Sequence, residues 1–428
     1  MDIAHIHNLF LKCNSVSIDT RKIEVNSLFI AIKGDRFDAN TFAKEALDKG
    51  ASYVIIDNEN YYIDERTILV KNSLVALQEL AKFHRVYLNL PIIALTGSNG
   101  KTTTKELIHA VLSKKFKTKA TVGNLNNHIG VPLTLLSFTK DTEIGIVEMG
   151  ANHKKEIAFL CELAKPNYGY ITNFGKAHLE GFGGFEGVIE AKSEMYDYIA
   201  KNNELVFVNL EDPIQVKKTN HLKIYSFGLN KENANVNIKS IKADPFVSII
   251  FSNNTITTHL IGLYNANNIN AALTIGKYFN VDEIAIKNAL ESYIPENNRS
   301  QLLKKGTNQI ILDAYNANPS SMAVALENFL QLENPNKIAI LGDMFELGPE
   351  SLSEHKNIVN MLLNKEKIIC YFIGNDFYHN KVNDLNFHFY ETFDLFKKEL
   401  ENIKFENNLI LIKGSRGMAL ERTLDVIS

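Results

Sequence analysis

The stretch Thr96-Gly97-Ser98-Asn99-Gly100-Lys101-Thr102 constrains this 428-residue chain more than any other. The apolar run Ile92 to Leu95 before it reads as a buried strand, and Lys105 to Leu112 after it reads as a helix. Strand, glycine turn and helix start together make a phosphate cradle. Glycine lets backbone N–H groups turn toward an anion, and the helix terminus adds partial positive charge. Lys101 would reach the β- and γ-phosphates and the Thr102 hydroxyl would sit on Mg²⁺, with Gly97, Ser98, Asn99, Gly100 and Thr103 completing a nucleoside-triphosphate site. The loop is two residues shorter than the general G-x-x-x-x-G-K-[ST] pattern, so it is not an ordinary form of that motif. A chance glycine turn before a helix is the competing account. The upstream strand and the Lys-Thr pair in register argue against it.

The length suggests two or three domains at about 150 residues each. A net charge of −3 gives no general polyanion-binding surface, so no nucleic-acid partner is expected. Cys13, Cys161 and Cys370 are few, odd in number and far apart. That excludes a disulfide framework and a cysteine zinc site, and it fits a reducing cytoplasm. The opening segment, with Asp2 and only a brief Leu9-Phe10-Leu11 apolar run, does not read as a signal peptide. No stretch approaches the roughly 18 apolar residues of a membrane span, so a cytoplasmic protein without a span is expected.

The pattern divides into three α/β units. In the first, Leu28 to Ile32 and Tyr53 to Ile56 read as strands, and Thr41 to Lys49 and Leu74 to His84 as helices, before the Asn89-Leu90-Pro91 break. From Pro91, strands at Ile144 to Met149, Tyr168 to Thr172 and Leu205 to Asn209 alternate with helical sequence, which argues for a parallel sheet. Val247 to Phe251 and Thr255 to Leu260 suggest a small antiparallel addition, followed by helices at Ala266 to Tyr278 and Val281 to Tyr293. After the polar break Pro295-Glu296-Asn297-Asn298, strands at Ile310 to Leu312, Lys337 to Leu341, Lys367 to Ile373 and Leu409 to Ile412 make a doubly wound unit. The expected domains are residues 1–89, 90–295 and 296–428.

Polar residues cluster just past several strands, where ligands collect in open α/β sheets. Glu148 suits a Mg²⁺ ligand facing the phosphate loop; capping the next helix would explain it equally well. His178 lies in a glycine-flanked loop near the same sheet edge, where a solvated histidine is the commoner outcome. Lys192 sits on a helix where an exposed lysine is the default. Asn124, Asn126 and Asn127 form an amide cluster fit for a sugar or peptide, or for a purely structural turn. Asn265 and Asn268 share a helix face and could hold a purine edge or cap the helix. Three loops of the last unit, Asp313 to Pro319, Gly342 to Gly348 and Lys413 to Gly417, form a candidate crevice that holds no nucleophilic triad. The chemistry they allow is positioning and charge neutralisation around phosphate.

Taken in order, these loops resemble the Mur ligases of bacterial peptidoglycan synthesis, through all three units. The family's T-G-(S/T)-x-G-K-T loop is matched from Thr96 to Thr102, which accounts for its shortness. The resemblance implies Mg²⁺ ligation by Glu148 and His178, and by Lys192 where that lysine is carbamylated. It implies adenine contacts from Asn265 and Asn268, although Tyr264 replaces a usual histidine. It implies ATP contacts from Arg299 and Asp313, although Arg299 lacks the usual P-G-R context. Asp19-Thr20-Arg21, Leu28 to Ala31, Gly34 and Asp38 resemble the UDP-binding domain, with Thr20 and Arg21 as substrate contacts. Asn124, Asn126 and Asn127 would face the muramyl-peptide, and Asn316, Asp343, Lys413, Ser415 and Arg416 the incoming group.

The third-domain loops resemble the members that add D-alanyl-D-alanine to a UDP-MurNAc-tripeptide. The implied reaction uses ATP and Mg²⁺ and passes through an acyl phosphate, with Lys101, His178, Lys192 and Arg299 as catalytic residues and a monomer as the working form. Open and closed arrangements of the third domain are expected. Two rivals are a folylpolyglutamate synthetase-like ligase of the same fold and a regulatory P-loop NTPase. The Asp19 to Asp38 segment argues against the first.

Overall fold

The computed structural model describes every residue except 1, 36, 297, 364, 366, 402 and 428, so Asn297 of the expected polar break lies outside the described residues. Three sheets follow one another along the chain. The first is parallel, with strands Ser15–Ser17, Ser27–Ile30, Ala51–Ile56 and Thr67–Leu69 in that spatial order. A hairpin of Lys33–Gly34 and Phe37–Asp38 stands beside it. Helix Ser73–Leu88 closes this unit; Asn72 caps its start, and Asn89 ends it in the left-handed region at φ 47°. Its Arg85 donates to the Ala164 and Lys165 carbonyls at 2.8 and 2.9 Å, binding the first unit to the second.

The second sheet has nine strands, in the order Asn254–Ile261, Phe246–Phe251, Val236–Ala243, Lys223–Leu229, Leu205–Asn209, Tyr168–Ile171, Ile92–Thr96, Ile144–Glu148, Thr118–Ala120. All are parallel except Phe246–Phe251 and Asn254–Ile261, which join the same sheet antiparallel. The antiparallel segment is therefore an extension of the central sheet. Ile92–Thr96 is wholly buried, as a strand covered by helices on both faces must be, so its sequence is a continuous apolar run. The chain leaves Ile92–Thr96 toward Thr118–Ala120 on one side and leaves its neighbour Tyr168–Ile171 toward Leu205–Asn209 on the other, so a crevice opens between their C-terminal ends.

The third sheet runs Gln301–Lys305, Asn308–Asp313, Leu409–Lys413, Lys337–Gly342, Ile368–Ile373, Phe387–Tyr390 and is parallel apart from its first pair. Asp313 and Lys413 are register partners at the C-terminal ends of adjacent strands. Among the described residues, no helix is long and apolar enough to cross a membrane.

Candidate active site

The crevice of the central sheet is built by the phosphate loop. Gly97 has φ +146° and Gly100 φ +77°; a Cβ there would stand 1.9 Å from Thr172 Oγ1 and 2.5 Å from Asn268 Oδ1. Only glycine fits either position. The loop is pinned from below: Ser98 Oγ donates to the Gly175 carbonyl at 2.8 Å, Asn99 N–H to Asn173 Oδ1 at 3.0 Å, and Thr172 Oγ1 to the Asn99 carbonyl at 2.6 Å. Gly100 releases the chain straight into helix Lys101–Leu112, one turn earlier than the Thr102-Thr103-Thr104 run leads one to expect. No side chain caps that helix, which leaves its first N–H groups for an anion. The Lys101 ammonium is folded onto its own loop, donating to the Gly97 and Ser98 carbonyls at 2.7 and 3.3 Å. Burial lowers its pKa, the Glu148 carboxylate opposes that shift, and the Arg299 charge adds to it.

Glu148 is buried at the end of its strand. Thr102 Oγ1 donates to one of its oxygens at 2.9 Å and Asn126 Nδ2 to the other at 2.8 Å. It caps no helix. Lys192 is 1% exposed, with its Nζ 5.5 Å over the Phe182 ring. Burial, and secondarily the Lys101 charge, hold its pKa far below the usual lysine range. The default expectation of an exposed lysine is thus overturned. His178 stands in the left-handed region at φ 53° and lines the cavity, where its Nδ1 is paired with Glu346 of the third unit. Among the described residues no three His, Cys, Asp or Glu side chains converge as a metal cluster.

Asn265 and Asn268 are buried and line the cavity; Asn265 stands at the N-cap position of helix Ala266–Tyr278, but neither side chain makes a capping hydrogen bond. Asn268 Nδ2 donates to Asn265 Oδ1 at 2.8 Å, Asn265 Nδ2 to the Ile261 carbonyl at 2.8 Å, and Thr104 Oγ1 to Asn268 Oδ1 at 3.0 Å. Tyr264, beside them, shares a 2.7 Å hydrogen bond with Ser300 Oγ. Asn124, Asn126 and Asn127 also line the cavity; Asn127 is the structural member, since its Oδ1 accepts from the N–H groups of Ile129 and Gly130.

The third unit closes the opposite wall. Arg299 lies 3.5 Å over the Tyr315 ring, and Asp313 pairs with buried Lys413 at 2.5 Å. With Asn316 they enclose, together with the phosphate loop, a cavity of about 740 Å³. Contacts across the seam were not foreseen from the sequence. Asn318 Nδ2 donates to Asn99 Oδ1 at 2.7 Å, Lys176 N–H to Ser320 Oγ at 2.8 Å, and Lys176 pairs with Glu354 at 2.5 Å. The Asn318-Pro319 pair is a helix-start signature that could have drawn attention to this loop, since Asn318 caps Pro319–Gln331.

Other expected site residues fall outside the cavity lining. Thr20 and Arg21 belong to the first unit, where exposed Arg21 pairs with Asp19 at 2.8 Å. Asp343, expected to contact substrate, is instead buried, and its carboxylate accepts from the N–H groups of Asp376 and Phe377, both at 3.1 Å. The strand end that presents it also faces a helix start, and the carboxylate fills that need. Ser415 is buried as an acceptor for Phe345 N–H at 2.9 Å, and exposed Arg416 pairs with Glu421 at 2.7 Å.

The sequence matches the Mur ligase family, catalytic domain, over residues 12–85, the Mur ligase middle domain over 95–276, and the Mur ligase, glutamate ligase domain over 298–416. The UDP-N-acetylmuramoyl-tripeptide--D-alanyl-D-alanine ligase of Bacillus subtilis (strain 168) is 36% identical, over 95% of this chain and 92% of its own. The protein of the same name from Escherichia coli (strain K12) is 33% identical over 81% and 78%. MurF from Acinetobacter baumannii superposes with a TM-score of 0.87 at 28% identity, covering 99% of this chain and 97% of its own. The MurF ligase from Thermotoga maritima, solved in complex with ADP, gives 0.83 at 28% identity and covers 97% of each chain. Three matched domains in order and full-length likeness to these proteins lead to one conclusion: the chain belongs to the Mur ligase family, in its MurF branch.

Proposed function

We propose that this chain uses ATP to join D-alanyl-D-alanine to the C-terminal carboxylate of a UDP-MurNAc-tripeptide, giving the pentapeptide precursor of peptidoglycan. The observation that carries the reading is the cavity in which the phosphate loop faces Arg299, Asp313 and Lys413 across the seam between two domains. The names of the relatives support the substrates, and the ADP complex of a structural neighbour supports the nucleotide.

The peptide carboxylate attacks the γ-phosphorus, ADP leaves, and an acyl phosphate forms. The dipeptide amine then attacks the acyl carbon; the amide bond forms, a proton leaves the nitrogen, and phosphate departs. The first step brings two anions together, so its barrier is largely electrostatic. Lys101 would exchange its loop carbonyls for the phosphates, and Arg299 would add a second cation from the facing wall. Gly97, Ser98, Asn99, Gly100, Thr102 and Thr103 would cradle the phosphates. Asn265, Asn268 and Asp313 would hold the nucleoside.

The donor set fits Mg²⁺: the Thr102 hydroxyl and the Glu148 carboxylate are hard oxygens already 2.9 Å apart. Bound there, the ion would neutralise charge on the transferring phosphoryl group. Burial lowers the Lys192 pKa and so favours the neutral amine, the form that takes up CO₂; as a carbamate it would turn from a cation into an oxygen ligand. His178 could join the set only on leaving Glu346.

Thr20 and Arg21 are assigned to the UDP end of the substrate, Asn124, Asn126 and Asn127 to its peptide, and Asn316 with the Lys413 to Arg416 loop to the incoming dipeptide. Domain limits at 1–89, 90–295 and 296–428, a cytoplasmic location and a monomeric working form complete the reading. Mass spectrometry of a reaction with both substrates tests it, since one new product must carry the tripeptide and the dipeptide in amide linkage. Unchanged UDP-tripeptide beside consumed ATP would reject it.

A further inference from the structure

The segment joining the second and third domains is held from both sides at one residue. Ser300 is buried and stands in the left-handed region at φ 49°, two residues after Asn298 at φ 58°. Residues with a side chain adopt that region sparingly and keep it only where their surroundings fix it. On the third-domain side, Ser300 N–H donates to Asp313 Oδ1 at 3.2 Å, and Tyr315 N–H donates to the Asn298 carbonyl at 3.2 Å. On the central-domain side, the Ser300 hydroxyl meets the Tyr264 phenol at 2.7 Å. Tyr264 is itself held in place. Its ring lies against Gly262, at φ +88°, where a Cβ would come within 2.3 Å of Tyr264 Cε1. One serine thus touches a phenol of the central domain with its hydroxyl and a carboxylate of the third domain with its N–H.

Arg299, between these two left-handed residues, stacks on Tyr315 and carries a charge that Lys101 feels. We propose that the Tyr264–Ser300 pair is a positioning clasp that sets where Arg299 and Asp313 stand over the phosphate loop. The clasp rests on the ligase reading for its effect on turnover, but its geometry does not. Loss of the phenol hydroxyl leaves the phosphate loop untouched and loosens the third domain at the Arg299 end of the seam, while Asn318–Asn99, Lys176–Ser320 and Lys176–Glu354 still hold its far side. The penalty falls on the step that needs both walls, and less on nucleotide binding, which the loop dominates.

The test uses the full chain with Tyr264→Phe, Ser300→Ala and the two combined. Three readings are taken: ADP affinity, turnover with both substrates, and the distance between fluorophores at Lys114→Cys and Glu401→Cys in a Cys13→Ser background. Each single variant is expected to lower kcat about three- to tenfold, the share one lost hydrogen bond can carry, with ADP affinity changed by less than about twofold. The double variant should be no worse than the poorer single, because both remove the same bond. The fluorophore distance should broaden in all three. Independent, multiplying losses in the double variant, or an unchanged distance distribution, would overturn the clasp. Absent turnover in the parent chain would overturn the ligase reading alone, and the distance measurement would still decide the clasp.

Discussion

The Thr102 hydroxyl donates to the Glu148 carboxylate across 2.9 Å, joining the first turn of the phosphate-loop helix to the end of the neighbouring strand. The contact follows from register, because Leu95 and Glu148 are partners on adjacent parallel strands, so the carboxylate leaves the sheet level with the loop. Asn126 holds the second oxygen, leaving the carboxylate oriented before any ion arrives.

Glu148→Gln keeps the shape and an acceptor for Thr102 but removes the charge. Turnover should fall by about 10²–10³, the usual cost of one electrostatic contact to a transition state. The Mg²⁺ concentration for half-maximal rate should rise at least about tenfold. A Mg²⁺ titration of phosphate release checks this, and an unaltered requirement counts against Glu148 as a ligand.

Lys101→Ala should cut turnover by about 10³ or more while the chain stays folded. The ammonium is desolvated, and its partners are two carbonyls of its own loop, so the fold gains little from it. Circular dichroism and a thermal melt beside the activity assay separate the two effects. A variant of full activity would dismiss the phosphate-loop assignment.

Asp343 should behave as a structural residue. Its carboxylate holds two backbone N–H groups and lies 3.5 Å from buried His355, and burial raises its pKa. Asp343→Ala leaves those donors unpaired and should cost about 2–4 kcal/mol of stability. The KM for D-alanyl-D-alanine should stay within about twofold in the folded fraction. Urea unfolding with steady-state kinetics distinguishes this from a substrate contact, for which KM would climb.

The first domain should weaken in mild acid. His7 Nε2 meets His84 Nδ1 at 3.0 Å, and His84 Nε2 faces the Phe138 carbonyl at 3.0 Å. Burial, and then the His84 charge, push the His7 pKa down from 6.5 to about 4. The unfolded chain therefore takes up its proton first as pH falls, so this stability is whole above about 6.5 and is lost between there and about 4, by up to about 3 kcal/mol. His7→Leu should flatten that part of the curve in denaturant melts from pH 7 to 4. An identical slope in both proteins would refute the assignment.

What the sequence made legible follows from how each feature is encoded. Leu205–Asn209 and Ala266–Tyr278 stand where the pattern put them, because each is a continuous run of the right length between polar turns, the strand and most of the helix being buried. Edge strands of three or four residues, such as Ser15–Ser17, Thr118–Ala120 and Phe387–Tyr390, are too short to carry one. The phosphate loop was plain because its glycines answer to local backbone needs. The burial of Lys192 was not, since it depends on Phe182 and on a sheet formed by distant strands. Asp343 misled for a related reason: a polar residue at a strand end looks alike whether it faces a ligand or the start of a neighbouring helix.

The central claim is that the two walls of the 740 Å³ cavity serve one ligation. Phosphate release from ATP, measured with the UDP-MurNAc-tripeptide and D-alanyl-D-alanine each alone and then together, tests it most directly. Release should require both substrates and should match the amide product one for one. Steady ATP hydrolysis in the absence of either would contradict the account and leave a nucleotide-driven switch in its place.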